Sequence, residues 1–396
     1  MESNTSKTPT ASLGMNFIYL DHSTTTPIAK SVRDSMQPFL QELYGHPSSQ
    51  HWLGRAAAEA LEDARGHLAT LLECHPSEII FTSGGTESIN LGLLGVGRSI
   101  SRNFRNPHCI ISNLDHVAVR QTAQQLQLEG WQVSIAVCNN QGIIEPGEVA
   151  GKLLENTRLI SITHASHELG TIQPIQEISQ LCHDREVILH TDAAQTVGKI
   201  NCPVQELGVD ILSLSGHKFH APKGIGALYL RLGVSIDQIS FGEWLESGLR
   251  PGTQNVADIV GLGQAAKLAQ SRLSSSLDRI SVLRDQFHSK LERLIGSPIP
   301  ILGVHSPRLP GILTILLPKV KAFELQQRLP DICFGPTSSM TDDLEQNVPT
   351  AWNCLGISIE DKSKILRLAI GWTTSEEELD QAAHRIASAY ESLVDD

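Results

Sequence analysis

The sequence predicts an α/β protein built on a mostly parallel sheet covered by helices on both faces, followed by a smaller α+β domain. Three observations predict it. From about residue 54, short Val/Ile/Leu-rich runs alternate with segments of helical period. The runs are apolar throughout rather than every second residue, which is the pattern of strands buried on both faces. After one long helical stretch the rhythm changes to a few strands and helices of a different spacing.

The elements follow in order. GRAAAEALEDARGHLATLL (54–72) has the composition and period of a helix, EIIFTS (78–83) reads as a strand and TESINLGLLGVGRSI (86–100) as a helix. HCIISN (108–113), WQVSIAV (131–137), RLISITH (158–164), EVILHTD (186–192) and VDILSLS (209–215) are strands, with RQTAQQLQLEG and IQEISQLCHDR as helices between them. GIGALYL (224–230) is a further strand entered through glycines. A helix from about Val256 to Leu294 leads to GILTILLP, the short helix AFELQQRL, a loop at 335–349, KILRLAIG and a final helix EEELDQAAHRIASAYESLV. The expected division is 1–27 for a disordered lead-in and the N-terminal part of the small domain, 28–262 for the large domain and 263–396 for the small one.

Composition narrows the function. At 396 residues, 40% hydrophobic and 19% charged, the chain has the make-up of an ordinary globular protein with room for a sizeable core. A net charge of −12 without long runs of one sign disfavours nucleic acid or an anionic membrane as partner. No segment approaches the ~20 apolar residues of a membrane span. The 7 cysteines form no CxxC pair, which argues against a zinc module or disulfide framework and suits a reducing compartment. The polar start MESNTSKTPTASLGM lacks an apolar core and reads as a lead-in rather than a signal peptide, so the expected location is cytoplasmic.

Chemistry concentrates where the strands end, the edge at which open parallel sheets bind ligands. Gly84-Gly85-Thr86-Glu87 follows EIIFTS and opens a helix, a ready anion site, although a plain N-cap would look the same. Asp115-His116 follows HCIISN, and Asp192 with Gln195 follows EVILHT; each could serve a flat heteroaromatic ring or satisfy its own loop. Lys218, in SLSGHKFHAPKGIGALYL (213–230), sits at a strand end among small and hydrogen-bonding neighbours, where a lysine acts as a base or an imine-forming amine. Together these are the parts of a pyridoxal-phosphate site. Two other patterns carry less. Gly261-Leu-Gly263-Gln-Ala-Ala266 matches a dinucleotide fingerprint but keeps a helical period with no strand before it, and His164-Ala-Ser-His167-Glu168 follows a strand, whereas paired metal-binding histidines sit one helical turn apart. No metal is expected.

FTSGGTESINL (81–91), HTDAAQTVGK (190–199), SLSGHKFHAPKGIGALYL and LRPGTQN (249–255) resemble the class V aminotransferases, and among them the cysteine desulfurases and selenocysteine lyases; YLDHSTTTP (19–27) resembles their opening motif. The resemblance runs from about residue 18 to the C-terminus. It implies the aspartate aminotransferase-like fold (fold type I), a homodimer and pyridoxal 5'-phosphate as cofactor. By position it implies Lys218 as the lysine that carries the cofactor, Asp192 on the ring nitrogen, His116 stacked on the ring and Gln195 near the ring oxygen. It implies phosphate contacts from Gly85, Thr86, Ser215 and His217, and from Thr253 of the other subunit. Arg367, in KILRLAIG, matches the arginine that grips the substrate carboxylate. A small amino-acid substrate and a protein that accepts sulfur are the implied partners.

The departures from the family concentrate around the substrate. The loop that carries the nucleophilic cysteine reads FGPTSSMTDDLEQNVP here, with no cysteine between Phe334 and Pro349 and with Ser338 or Ser339 nearest the matching position. A serine is a poor nucleophile toward sulfur. His167 replaces an asparagine beside the ring oxygen and the substrate carboxylate, His46 an asparagine in GHPSS, Thr24 an alanine and Trp372 an arginine; FGEWLES (241–247) replaces a glycine-rich stretch. Cys333 and Cys354 lie nearest the loop and both read as core. The expectation is therefore an enzyme that cleaves the C–S bond of cysteine or a related amino acid by β-elimination. A desulfurase using Cys333 or Cys354, another reaction of the class, and a non-catalytic scaffold are the alternatives.

Overall fold

The structure is a computed structural model and describes residues 17–336 and 349–395. The strands are β1 (Ile18–Tyr19), β2 (Ile79–Thr82), β3 (His108–Ser112), β4 (Gln132–Ala136), β5 (Thr157–Ser161), β6 (Ile188–Asp192), β7 (Ile211–Ser215), β8 (Gly226–Leu230), β9 (Ile312–Leu316), β10 (Ile332–Cys333), β11 (Gly335–Pro336) and β12 (Ile365–Ala369). A 7-stranded sheet runs in the order β2-β8-β7-β6-β5-β3-β4. All its pairings are parallel except those of β8, which lies antiparallel between β2 and β7.

The apolar runs become buried strands because both faces are covered. On one face Leu61 and Leu68 of α2 (Trp52–Leu72) pack with Ile110, Ile160, Leu189 and Leu212 of the sheet. On the other, Leu93, Val119, Leu126 and Trp131 pack with Ile80, Ile111, Leu159 and Ile211. Polar side chains inside the sheet are satisfied sideways: His190 meets Ser161 Oγ at 2.8 Å and Ser213 Oγ at 2.9 Å, and His108 meets Thr157 Oγ1 at 2.8 Å. The expected helix after β2 is continuous, from α3 (Gly85–Asn90) through a π-helical turn (Leu91–Gly95) to Val96–Ser101. Gly95 is required there, since a Cβ would stand 2.6 Å from Asp237 O. Helix α1 (Lys30–Gln41) and the short helices Pro146–Ala150, Val204–Leu207 and Ile359–Lys362 were not anticipated.

A second core joins β9 and β12 of the 3-stranded sheet β11-β12-β9 with Leu379 and Ile386 of the last helix, Glu376–Asp395. Ile18 and Leu20, near the chain start, belong to it through parallel pairing of β1 with β10. Helix Val256–Ile295 serves both cores: Leu262, Ala266 and Leu273 pack in the first, Ile280, Leu283 and Phe287 in the second. The dinucleotide-like glycines lie within this helix, and a Cβ on Gly263 would stand 2.5 Å from Ala64 Cα, so the glycine serves a close helix crossing. Residues 1–16 and loop positions Ser338 and Ser339 lie outside the described residues.

Candidate active site

The loops at the carboxyl edge of the 7-stranded sheet converge on a cavity of about 470 Å³. After β2 the chain turns through Gly84, whose φ of 150° suits glycine, into α3. The first amide N–H groups of that helix have no intrahelical acceptor, and Gly84, Gly85 and Thr86 line the cavity. Thr82 Oγ1 and Ser88 Oγ, 2.7 Å apart, pin the turn. Glu87 is held by Arg250, whose Nε donates to Oε1 at 3.1 Å, so the LRPGTQN segment is tied to the same turn.

After β3, His116 caps helix α4 (Val117–Leu128) by accepting from Ala118 N at Nδ1, 3.1 Å away. Burial lowers its pKa below the ordinary histidine range; Asp192 opposes this, and Lys218 adds to it. A neutral ring with Nδ1 as acceptor carries its proton on Nε2. Beside it, Asp115 is buried and pushed up to about 7, chiefly by burial. After β5 comes His167, edge-on to His116 with ring centroids 5.9 Å apart. Burial pushes its pKa down to about 3, with further contributions from His116 and Arg367, so it is neutral.

At the end of β6, Asp192 is buried, and its Oδ1 accepts from Ala194 N at 3.0 Å. Its other oxygen has no hydrogen-bond partner among the described residues. Burial raises its pKa, while His116 and Lys218 oppose the rise. Gln195, three residues on, donates from Nε2 to Ser23 O at 2.9 Å.

After β7 a single 3-10 turn, Gly216–Lys218, brings Ser215, His217 and Lys218 to the cavity. Lys218 Nζ donates to the carbonyls of Ser23 and Thr24, both at 2.8 Å. Burial pushes its pKa down to about 8; Arg367 adds to the effect, and Asp192 and Asp21 oppose it. His217 is tied to the same N-terminal segment, its Nδ1 standing 3.0 Å from Thr25 Oγ1.

Arg367 enters from β12. Its Nη2 donates to Thr24 Oγ1 at 2.9 Å and stands 3.5 Å from Asp21, while its buried Nε has no hydrogen-bond partner among the described residues.

Gly85, Thr86, His116, His167, Asp192, Gln195, Ser215, His217, Lys218 and Arg367 thus line one cavity. His46 and Thr253 do not: His46 accepts from Ser48 N in the loop before α2, and Thr253 is exposed between Arg250 and the long helix. His164 points elsewhere, with Nδ1 3.8 Å from Cys202 Sγ. Cys333 lies in β10 and Cys354 in the short helix Ala351–Cys354, where Sγ accepts from Asn113 Nδ2 at 3.4 Å; neither lines the cavity.

Sequence reasoning missed Ser23, Thr163 and Lys199, and named Glu87 only as part of the helix opening. Ser23 lay within the quoted opening motif, but its part here is played by a backbone carbonyl, which has no side-chain signature.

The donor set fits pyridoxal phosphate. Helix N–H groups with Thr86, Ser215 and His217 could hold a phosphate, and Asp192, with one oxygen unengaged, could face a protonated ring nitrogen. The His116 ring could cover the flat face, and Lys218 offers the amine.

Residues 18–381 match the family Aminotransferase class-V. The chain is 37% identical to the cysteine desulfurase IscS of Dictyoglomus turgidum over 380 residues, 95% of each chain. Among solved structures, a NifS-like protein superposes with a TM-score of 0.87 at 32% identity, covering 95% of this chain and 100% of the other. SspA in complex with cysteine superposes with a TM-score of 0.76 at 30% identity, covering 89% of this chain and 98% of the other.

Proposed function

We propose, for a chain that belongs to the class V aminotransferase family, that this pyridoxal-phosphate-dependent, cysteine desulfurase-like enzyme cleaves the C–S bond of cysteine or a related small amino acid by β-elimination. One observation carries the elimination: Lys218, Asp192 and Arg367 share the cavity, while no cysteine lines it among the described residues and none occurs between Phe334 and Pro349. The substrate class is supported by the relatives' names and by the SspA complex with cysteine.

The bound cofactor supplies an electron sink for charge developing at the substrate Cα. Arg367 presents a planar fork to the α-carboxylate and is held by Thr24 and the His167 carbonyl. Lys218 Nζ takes the α-proton, its lowered pKa making the free amine available near neutral pH. His116 offers a flat ring and an Nε2–H donor to anionic atoms in the cavity, while His167, neutral, adds no charge beside the carboxylate. The Cβ–S electron pair leaves with sulfur as hydrosulfide, and hydrolysis of the aminoacrylate gives pyruvate and ammonia.

The working unit we propose is a homodimer, with the exposed Thr253 offered to the second copy's phosphate end and His46 to its substrate. We place it in the cytoplasm, where its 7 unbridged cysteines suit the redox state. Among the described residues no helix is long and apolar enough to cross a membrane.

Two measurements test the proposal. The purified protein absorbs in the visible region and Lys218→Ala abolishes that band; an unchanged band in the variant refutes the role of Lys218. Cysteine turnover yields pyruvate and sulfide. The relatives' names favour a second reading, a desulfurase, and stoichiometric alanine with a persulfide on Cys333 or Cys354 would establish it instead.

A further inference from the structure

We infer that Lys199 is a positioning residue: by donating to Gln195 Oε1 it fixes which end of that amide faces the cofactor cavity, so that Gln195 presents N–H to an anionic ring oxygen. The inference rests on the cavity being the pyridoxal-phosphate site.

The two ends of a glutamine amide are nearly the same size, and only their partners decide the orientation. Lys199 Nζ stands 2.9 Å from Gln195 Oε1, and Gln195 Nε2 stands 2.9 Å from Ser23 O. A reversed amide would set N–H against the lysine donor and oxygen against the Ser23 carbonyl. Both contacts therefore select the same orientation. Nε2 carries two hydrogens; one goes to Ser23, and the other has no acceptor among the described residues although Gln195 lines the cavity. A free N–H at that wall suits an acceptor brought by the ligand, and the phenolate-type oxygen of the cofactor ring is one.

Lys199 is not a solvated surface lysine. It lines a separate, mainly apolar cavity of about 70 Å³ with His22, Phe219, Arg272 and Trp372, and that cavity shares Ser23 and Lys218 with the larger one. Burial pushes its pKa down to about 7, with Lys218 and Arg367 contributing. The amide orientation survives loss of that proton, because a neutral amine still donates and Ser23 O can only accept. The charged groups that face this pair are Lys218, Arg367 and Asp192 from the larger cavity and Arg272 from the long helix; His22 and His220 are held neutral, at about 4 and about 3.

A donor on the ring oxygen competes with the proton shared between that oxygen and the Lys218 nitrogen. Removing the donor therefore tightens the hold on the proton, and the visible band of the loaded protein titrates at higher pH. In Lys199→Met the midpoint is expected to rise by about one pH unit, and cofactor dissociation, followed by loss of the band on dilution, to weaken about tenfold, the size of one hydrogen bond to a charged group. Lys199→Arg keeps the donor and is expected to stay near the wild-type midpoint. In a Gln195→Ala background Lys199→Met is expected to add no further shift, because the two act through one amide. An unchanged midpoint in Lys199→Met, or the same added shift with and without Gln195, overturns the inference; the second result would mean that the ammonium acts by its field alone. If Lys199→Met does not fold, Lys199→Gln, which also donates, must reproduce the wild-type midpoint for the inference to stand. A band that persists in Lys218→Ala is a separate result, and it refutes the cofactor reading rather than the role of Lys199.

Discussion

Arg367 Nη1 donates to the carbonyl oxygen of His167 at 3.1 Å, a bond between the 3-stranded sheet and a loop of the 7-stranded one. The bond aims the guanidinium while leaving Nε without a partner among the described residues. Arg367→Lys keeps the charge and loses the fork. The expected result in steady-state kinetics is a KM for cysteine about ten- to hundredfold higher with the visible band intact, the size of a charge-assisted hydrogen bond. An unchanged KM would remove Arg367 from the substrate site.

Lys218 is expected to capture cofactor with a pH midpoint of about 8, since burial, reinforced by Arg367, favours its neutral amine there rather than near 10.5. At neutral pH this gives roughly a few hundredfold more free amine than an ordinary lysine has. Stopped-flow addition of pyridoxal phosphate to cofactor-free protein between pH 6 and 10 checks it. The sign for stability follows. The unfolded chain binds the proton more tightly than the folded one, so this lysine destabilises the cofactor-free fold fully below pH 8, and the loss is recovered as pH rises from 8 toward 10.5.

Cys333→Ala and Cys354→Ala are each expected to leave the ratio of pyruvate to alanine unchanged. The Cys333 thiol is raised by burial and by Asp21, and neither Cys333 nor Cys354 lines the cavity, so neither stands where it could meet the substrate sulfur. Chromatographic quantification of both keto and amino products decides it.

Glu246→Ala is expected to destabilise the fold by about 3–5 kcal/mol by urea denaturation, as removal of one partner of a buried pair does. Arg65 Nη1 and Nη2 donate to the two oxygens of Glu246 at 2.9 and 3.0 Å, and Phe81 N and Gln254 Nε2 donate to the same carboxylate. The carboxylate thus ties β2 to the segment that ends at Arg250 and the Gly84-Gly85 turn. A small loss would show that neighbouring groups reabsorb the charge.

Much of this was legible because buried parallel strands leave continuous apolar runs and because chemistry gathers where those runs end. Lys218, Asp192 and His116 could be picked from such ends before any coordinates. Pairing was less legible: the run at 226–230 does not say that β8 alone turns antiparallel. Lys199 ends the HTDAAQTVGK segment with no mark of its role, since its contact with Gln195 depends on how the loop after β6 curls. Arg65 and Glu246 are 181 residues apart, and nothing local to either marks the pair. The carbonyls of Ser23 and Thr24, which hold Lys218, leave no mark on the side-chain pattern at all.

The parallel pairing of Ile18–Tyr19 with Ile332–Cys333 has a consequence for biosynthesis. Residues 18–25 leave the ribosome before any strand of the large sheet, yet the strand partner of Ile18–Tyr19 emerges only after all 7 strands of that sheet have been made. Until then the segment that offers the carbonyls of Ser23 and Thr24 is held from the large-sheet side, by Gln195 Nε2 on Ser23 O and Thr26 N on His217 O. A nascent chain can therefore set the Lys218 amine against Ser23 and Thr24 before the small sheet exists, while Arg367 joins the cavity only when β12 has been made.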